Sequence, residues 1–217
     1  DDGNNLLLIG YENGNIDVWN DGNIFNIPTF FNAPIKANKT INDFHIVRNR
    51  CYVSTNFGVL LLDLEKLSIQ ESIQQLGENG TTLAINESLV INESLFLATE
   101  QGVISIALDE KNILDYNNWT RYPTLNNLAI SSMVLFENSL FASGTNGTIF
   151  NYVNNNWSQY ATGTGLSIKA LTGSQTNLIV SSSSGLYNLI GTSFERMSDA
   201  ILAEVNNTLI DEQGNFW

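Results

Sequence analysis

Short apolar stretches recur along the chain, and successive stretches are joined by turns that contain glycine. The clearest example is Leu8–Trp19, where a strand-like run ending in small or polar residues meets a glycine turn and a second apolar run follows. The same order returns at residues 52–62, 97–106, 142–150 and 180–187. Runs of this length, rich in β-branched and aromatic residues, predict β-hairpins, and sustained helical periodicity is absent.

The glycines of these turns repeat at a nearly constant interval; they are Gly14, Gly58, Gly102, Gly147 and Gly185. A period of about 40–50 residues with roughly four short strands in each period is typical of β-propeller blades. Tight hairpin turns need a positive φ, which glycine adopts without strain. We expect the small residues before these turns to lie on crowded strands; they are Gly10, Ser54, Ala98, Ser143 and Ser181.

Two of the repeats can be divided into four strands each. In one repeat the pattern predicts strands at Ile41–Val47, Cys51–Thr55, Val59–Leu64 and Ser68–Ile73. In another it predicts strands at Ile130–Phe136, Ser139–Ser143, Thr148–Val153 and Trp157–Tyr160. The fold class that follows is all-β, a β-propeller built from four-stranded antiparallel sheets.

The two ends of the chain indicate where it enters and leaves the repeat. Asp1–Leu6 resembles Asp211–Phe216, and both look like the turn between the first and second strands of a blade. We therefore expect about five blades' worth of strands, a first blade without its first strand and, unless five blades close on themselves, membership of a larger ring. The predicted blades of this single propeller region, 1–217, are approximately 1–38, 39–79, 80–124, 125–163 and 164–200, and 201–217 begins the next blade.

Charge excludes some classes of partner. The chain carries 22 acidic and 9 basic residues, a formal net charge of −13. A chain of this charge has no basic patch for a nucleic-acid backbone and is opposed by anionic membranes, so we predict no nucleic-acid partner. No apolar stretch approaches the length of a transmembrane helix, and the N-terminus has no signal-peptide pattern.

Candidate catalytic and metal-binding residues are few. His45 is the only histidine, so metal sites built from several histidines and histidine-based triads are excluded unless a partner supplies groups. It alternates with apolar neighbours, which favours a hydrogen-bonded strand histidine. Cys51 is the only cysteine, cannot form an internal disulfide, and is predicted to be a buried, inert thiol.

Paired carboxylates occur at Glu12 with Asp17 and at Asp109 with Glu110, and we interpret both pairs as solvated turn residues. The acidic turns near the two chain ends lack the spaced oxygen ligands of a calcium loop, so Asx-turn chemistry explains them. We therefore predict no catalytic residues, no metal ligands and no cofactor.

The remaining candidates concern surfaces. Trp19, Trp119, Trp157 and Trp217 suggest sugar stacking, but each is at or near a predicted strand, and packing between blades is the favoured interpretation. The Asn-x-Ser/Thr triplets are expected by chance in so asparagine-rich a chain. Asp109–Asn118 is a loop long enough to contact a partner.

Several motifs resemble known propeller families. The Asp-x-x-Gly-Asn-x-Trp turn at Asp211–Trp217 resembles the two-component-regulator propeller repeat of Bacteroidetes sensors. The stretch Leu7–Asp17, which contains Tyr-Glu-Asn-Gly-Asn-Ile-Asp, resembles the N-terminal propeller of PorZ-type proteins. Residues 39–42, 52–64 and 97–103, with Asn118-Trp119, continue this resemblance over about residues 6–120.

The PorZ-type resemblance implies two seven-bladed propellers followed by a small β-sandwich, with this chain as part of one ring. It also implies an exported, non-enzymatic component of the type IX secretion system, at the cell surface of the outer membrane or in the periplasm. It implies partners such as a sortase-like subunit and anionic lipopolysaccharide or another glycan. The alternative is the periplasmic, oligosaccharide-sensing propeller of a hybrid two-component system. An enzyme such as a lyase or glycosidase is disfavoured because the chain has one histidine and few bases.

Overall fold

The computed structural model describes residues 6–36, 38–174, 176–197, 203–211 and 213–217. These residues form mainly β-strands, with one short helix, α1 (Thr29–Asn32), and 3₁₀ turns at Glu78–Gly80, Tyr116–Asn118 and Pro123–Leu125. The strands are β1 (Leu6–Gly10), β2 (Ile16–Asn20), β3 (Asn23–Ile27), β4 (Ile41–Val47), β5 (Arg50–Thr55), β6 (Gly58–Asp63), β7 (Ser68–Ile73), β8 (Ile85–Ile91), β9 (Ser94–Thr99), β10 (Gly102–Ala107), β11 (Thr120–Arg121), β12 (Ile130–Phe136), β13 (Ser139–Gly144), β14 (Thr148–Val153), β15 (Asn156–Thr162), β16 (Ile168–Gly173), β17 (Leu178–Ser182), β18 (Gly185–Ile190) and β19 (Ser193–Arg196).

The strands form five sheets in which neighbours in sequence are neighbours in the sheet. The first sheet is β1–β3, and the second to fifth sheets are β4–β7, β8–β11, β12–β15 and β16–β19. In every sheet the first two strands pair antiparallel. This up-and-down order of four short strands is the architecture of a propeller blade. The prediction of an all-β propeller is confirmed.

Most of the predicted strands agree with the structure. Ile41–Val47 and Ser68–Ile73 have the predicted bounds, whereas the strands between them begin at Arg50 and Gly58. In the fourth sheet, the last strand extends over Asn156–Thr162 and so exceeds its predicted length. Hairpin pairing extends these strands, because a residue joins the ladder when its partner is present, even where its own sequence favours a turn.

The turn glycines have the predicted conformation. All five of them have positive φ, for example +129° at Gly58 and +123° at Gly185. A Cβ at Gly58 would meet the carbonyl oxygen of Ile73 on the neighbouring strand, so both backbone conformation and space require glycine there.

The small residues before the turns occupy crowded positions. Ser54, Ala98, Ser143 and Ser181 are completely buried. Gly10 is exposed by area, but a Cβ there would lie only 2.7 Å from Cγ2 of Ile41. The prediction that these positions must be small is therefore confirmed by their packing.

The described chain divides into two compact units, one of Asp1–Thr99 with Ile104–Thr120 and the other of Glu100–Val103 with Arg121–Trp217. In the first unit one apolar core joins the first and second sheets and another joins the second and third. In the second unit a core joins the fourth and fifth sheets. Within each unit the apolar faces of neighbouring sheets thus pack against each other, which explains why both faces of a strand such as Cys51–Thr55 are buried.

The first strand of each four-stranded sheet is an edge strand with an irregular register. The register shifts at the equivalent place in β4, β8, β12 and β16. Side chains that follow the shift accept edge N–H groups of the next sheet: Asp43 Oδ2 accepts from Ser88 N at 3.2 Å, and Ser132 Oγ accepts from Leu171 N at 3.1 Å. These bonds satisfy backbone donors that an edge strand would otherwise leave open.

The chain ends are only partly described. Residues 1–5 lie outside the described residues, so the predicted turn at Asp1–Leu6 has no structural counterpart here. At the other end, Leu209 and Trp217 exchange two backbone hydrogen bonds, and Ile210 pairs with Phe216 in an antiparallel bridge. The predicted turn at Asp211–Phe216 therefore closes a hairpin.

Candidate functional site

A groove of about 830 Å³ lies between the second and third sheets of the first unit. On one side it is lined by the β4–β5 turn, with Arg48, Asn49 and Arg50. On the other side it is lined by the equivalent β8–β9 turn, with Asn92 and Glu93. Because the two turns come from successive repeats, the stacking of blades forms the groove; we call it the inter-blade groove.

The groove has an apolar floor between two polar rims. Val47, Tyr52, Val90 and Leu108 form the floor and belong to, or pack against, the apolar core between the two sheets. Arg48, Asn92 and Glu93 adopt positive φ, as expected in tight hairpin turns. The turn geometry thus holds polar side chains around an apolar strip.

The two rims differ in charge. The rim from the second sheet has the guanidinium groups of Arg48 and Arg50 and the carboxylate of Asp63, whereas the rim from the third sheet has the carboxylates of Glu93 and Asp109. The Tyr52 hydroxyl hydrogen-bonds with Arg50, and the charge of Glu93 also acts on it. Burial, the largest influence, raises the Tyr52 pKa, so this hydroxyl is neutral and remains a donor.

The groove has the chemistry of a binding site. A guanidinium group presents a planar fork of donors that fits a carboxylate or a phosphate, and an apolar floor adds area that a ligand can cover. On the second-sheet rim the two arginines outnumber the single carboxylate of Asp63, although the whole lining has three carboxylates and two guanidinium groups. An anionic group of a ligand is therefore favoured only beside the two arginines.

His45 is placed in the structure as the sequence predicted. Its Nε2 accepts a hydrogen bond from Val90 N at 3.0 Å, so the imidazole ties β4 to the edge of β8. Burial lowers the His45 pKa, which keeps the ring neutral and its Nε2 able to accept. The interpretation as a hydrogen-bonded strand histidine is confirmed.

Cys51 is fully buried in the core between the first and second sheets. Burial, with a smaller effect from the nearby Asp43 charge, raises the pKa of its thiol to about 12. The thiolate is the reactive form of cysteine, so the prediction of an inert thiol is supported.

Asp43 is a buried acid that the sequence analysis did not single out. Burial raises the pKa of its carboxyl to about 6, against the opposing effect of hydrogen bonds from the Ser88 and Phe44 backbones. Its one sequence signal is that it is the only acidic residue in the strand Ile41–Val47. The structure explains it as an acceptor for an edge N–H group of the third sheet.

The interpretation of the carboxylate pairs as solvated turn residues is wrong for Asp17, which lies in β2 and accepts hydrogen bonds from the Tyr11 hydroxyl and the Asn26 amide. Glu12 is exposed in the turn, as predicted. Asp109 lines the inter-blade groove, and Glu110 accepts from Asn112 N. Among the residues that the structure describes, no three His, Cys, Asp or Glu side chains converge as a metal site requires.

Asx-turn chemistry accounts for the turn near the end of the chain. Asp211 accepts hydrogen bonds from the backbone N–H groups of Gln213 and Asn215 and from the side chains of Asn215 and Trp217. These donors, with the Asn215 side chain the largest, lower the pKa of the Asp211 carboxyl to about 2. The carboxylate is thus used to shape the turn.

The prediction that all four tryptophans pack between blades is wrong for two of them. Trp119 and Trp157 are 4% and 1% exposed, but Trp19 and Trp217 are 39% and 76% exposed. Trp19 projects from the face of the first sheet that also exposes Leu7 and Ile24, and no described sheet covers that face. A side chain on a strand is buried only where a neighbouring sheet covers it, and the sequence around that residue does not show whether such a sheet is present.

The loop Asp109–Asn118 is anchored to the third sheet. The indole N–H of Trp119 donates to the carbonyl of Ile113 at 2.9 Å, and Asp115 accepts from the backbone N–H of Asn117. Ile113 packs against the core. Contact between the loop Asp109–Asn118 and a partner remains a prediction. In the described part of the chain, no helix is long and apolar enough to span a membrane.

Solved structures with this architecture place the chain among β-propellers. PorZ from Porphyromonas gingivalis, described as an essential bacterial surface component of the type IX secretion system, superposes with a TM-score of 0.73 at 18% identity; the match covers 94% of this chain and 26% of that one. The extracellular domain of a protein described as a hybrid two-component system from B. thetaiotaomicron also has a TM-score of 0.73, at 16% identity, over 100% of this chain and 30% of that one. The computationally designed protein Ika8 has a TM-score of 0.66 at 13% identity, over 98% and 67%.

The class of protein is thus a β-propeller, and the low identities establish that fold alone. A sequence match identifies the family: the family model of the PorZ N-terminal β-propeller domain of the type IX secretion system matches residues 2–120, more than half of the chain. The chain belongs to this family. No curated protein matches it in sequence. The inter-blade groove lies entirely inside the matched range.

Proposed function

We propose that this protein is a non-enzymatic propeller scaffold of the type IX secretion and cargo-attachment machinery. It is exported and works at the cell surface of the outer membrane or in the periplasm, together with protein partners such as a sortase-like subunit. The observation that carries the proposal is the family match over residues 2–120. The similarity to PorZ of P. gingivalis over 94% of the chain supports the same fold for the remainder.

A scaffold function agrees with how the chain uses its reactive side chains. The imidazole of His45 is occupied by a backbone N–H group, and the Cys51 thiol is buried with a raised pKa. Both residues serve the packing of blades.

The inter-blade groove is the surface that we assign to anionic lipopolysaccharide. Phosphate and carboxylate groups on such a glycan pair with the guanidinium groups of Arg48 and Arg50. The apolar floor at Val47 and Leu108 contacts the less polar faces of the sugar rings. The acidic rim at Glu93 and Asp109 disfavours a second anionic group on that side, and this gives the ligand an orientation.

The test is deletion of the parent gene followed by complementation. We expect the deletion strain to release cargo that retains its C-terminal sorting domain, and the wild-type gene to restore processing and attachment. Normal cargo processing in the deletion strain would disprove the secretion role.

A variant with reversed charges in the groove tests lipopolysaccharide binding separately from the scaffold role. Arg48→Glu with Arg50→Glu should reduce binding of purified lipopolysaccharide at least tenfold, because two attractive pairs become repulsive. Lys36→Glu is the matched control, since Lys36 is an exposed cation outside the groove lining. Equal affinity of the groove variant and the control would remove the groove from the proposal and leave the scaffold role in place.

A second candidate is the periplasmic propeller of a hybrid two-component sensor that binds an oligosaccharide. The chain superposes on the extracellular domain of such a system from B. thetaiotaomicron with the same TM-score as on PorZ. This similarity is the reason to retain the sensor as a candidate. The full-length sequence distinguishes the two. A second propeller and a β-sandwich domain support secretion, whereas a membrane helix followed by a kinase domain supports the sensor.

A further inference from the structure

A second concave surface, of about 480 Å³, lies beside the first hairpin of the chain. Its lining combines amide and carboxylate side chains with two exposed aromatic rings. The residues that carry the argument are Tyr11, Asn13, Asn15, Asp17, Asn26 and Phe31. We call this surface the first-hairpin cup; it shares no lining residue with the inter-blade groove.

The polar groups of the cup are oriented by hydrogen bonds among themselves. The Tyr11 hydroxyl donates to Asp17 Oδ2 at 2.8 Å. The Asn26 amide donates to Asp17 Oδ1 at 2.7 Å and to Asn15 Oδ1 at 2.9 Å. Asn13 Oδ1 accepts from Asn15 N at 3.0 Å. Because each group is held by another, the cup presents a fixed arrangement of donors and acceptors.

The backbone beneath the cup is also held in place. Gly14 closes the turn at φ +87°, and a Cβ there would lie 2.8 Å from the ring of Phe30 and 2.9 Å from Cβ of Lys39. The Lys39 ammonium donates to the carbonyls of Phe31 and Ala33 at the end of α1. The hairpin and the helix that carry the cup residues are therefore packed together, and a ligand would find a preformed site.

Hydrogen-bonding capacity remains open toward the solvent. Within the described part of the chain, the Nδ2 group of Asn13 donates to no protein atom, whereas the Asn15 side chain also hydrogen-bonds with Asp17. The Asp17 carboxylate accepts from Tyr11 and Asn26, and its two oxygens have room for a further hydrogen bond. Donors and acceptors thus alternate across a small area, which suits a hydroxyl group, since a hydroxyl both donates and accepts.

The charge of the cup restricts the ligand further. The cup lining contains no lysine or arginine, and Asp17 is its one charged side chain. Hydrogen bonds from Asn26 and Tyr11 lower the pKa of Asp17, so the carboxylate is ionised at neutral pH. An anionic ligand would be repelled, unlike in the arginine-rimmed groove.

Two aromatic side chains complete the cup. Phe31 and Tyr11 are 47% and 40% exposed, although rings of this size usually bury most of their surface. A flat apolar surface beside fixed amides and a carboxylate is the combination that recognises a sugar ring, because the ring has an apolar C–H face and a hydroxyl-rich edge.

We propose that the first-hairpin cup binds a neutral saccharide. One hydroxyl donates to the Asp17 carboxylate and accepts from the amide of Asn13, and the C–H face of the same ring stacks on Phe31. This site acts independently of the anionic ligand assigned to the inter-blade groove and does not require the secretion role.

Ligand-detected NMR and calorimetry on the full-length protein test the proposal. The probes are maltotetraose, cellotetraose, xylotetraose and chitotetraose as neutral glycans, with tetragalacturonate as the anionic comparison. At least one neutral tetrasaccharide should bind. Phe31→Ala and Asp17→Asn should each weaken that binding about tenfold, the value of one stacked ring or one hydrogen bond to a charged group.

Phe25→Ala is the matched control, because Phe25 is a phenylalanine of similar exposure, 44%, outside the cup. We expect it to bind with unchanged affinity. The proposal is overturned if no neutral tetrasaccharide binds, if Phe31→Ala binds as well as Phe25→Ala, or if tetragalacturonate binds as tightly as the neutral glycans. Cargo processing is not part of this readout. The saccharide proposal can therefore fail while the secretion role stands, and the reverse is also possible.

Discussion

His45 Nε2 accepts the backbone N–H of Val90 at 3.0 Å, so a side chain of the second sheet satisfies an edge donor of the third sheet. Asp43 does the same for Ser88, two residues away on each strand. Antiparallel strands direct alternate N–H groups outward, which explains why the accepted donors are two residues apart. The contact between these two sheets thus combines hydrogen bonds between β4 and β8 with an apolar core.

Replacing His45 by phenylalanine should destabilise the protein by about 1–3 kcal/mol, because the Val90 N–H would lose its acceptor in a part-buried position. His45→Gln retains an acceptor and should cost less. The lowered pKa of His45 means that its stabilising contribution is present above pH 6.5 and lost as the pH falls below it. Urea denaturation at pH 8 and pH 5 measures both effects; equal losses for the two variants at pH 8 would contradict this role.

Asp43→Asn should stabilise the protein at pH 8 and not at pH 4. The folded pKa of Asp43 is raised from 3.8 to about 6, so its stabilising contribution is full below pH 3.8 and is lost as the pH rises through 6. Asparagine stays neutral and keeps an oxygen for the Ser88 N–H. The expected gain at pH 8 is on the order of 2–3 kcal/mol.

Urea denaturation at pH 8 and pH 4 measures the effect of Asp43→Asn on stability. Asp17→Asn is the control, because the pKa of Asp17 is lowered and its carboxylate is exposed to solvent. It should bring no gain at pH 8. A gain of equal size in both variants would point to net charge rather than to burial of Asp43.

Gly58→Ala should cost about 2–4 kcal/mol, because the new methyl group meets the Ile73 carbonyl and the backbone has φ +129°. Gly22→Ala is a matched control: its φ is +84°, but no atom lies within 4 Å of the added Cβ. The control should lose only about 1–2 kcal/mol, the cost of the backbone conformation. Thermal unfolding of the two variants separates crowding from conformation.

Trp157→Ala should destabilise the protein by about 3–5 kcal/mol, because a fully buried ring is lost from the fourth sheet. Trp157→Phe should cost much less, since the indole N–H has no hydrogen-bond partner in the described structure. Trp217→Ala should change stability by less than about 1 kcal/mol, because that ring is 76% exposed. Chemical denaturation followed by circular dichroism ranks the three variants.

The Cys51 thiol should resist alkylation in the folded protein. Its pKa of about 12 and its complete burial leave almost no accessible thiolate at pH 8. Iodoacetamide labelling measured by mass spectrometry should be slow in buffer and rapid in 6 M guanidinium chloride. Rapid labelling of the folded protein would show that the second sheet opens locally.

The repeat made much of the fold predictable. Alternating apolar residues and turn glycines specify hairpins through local geometry, so Ile41–Val47 and Ser68–Ile73 were predicted with the bounds observed. The conformation at Gly58 was predictable for the same reason. The four tryptophans show the limit, because a strand position does not reveal whether another sheet covers that side chain.

The two candidate sites depended on the tertiary structure. Arg48 and Glu93 face one groove because equivalent turns of successive blades are stacked. Asp17 and Phe31 share the first-hairpin cup because α1 packs against the hairpin. The amino-acid sequence determined the strands, the turns and the propeller class, since these depend on interactions between residues close in the chain. Only the tertiary structure decided which distant side chains meet, because that depends on the stacking of sheets, which buries some polar groups and leaves others exposed.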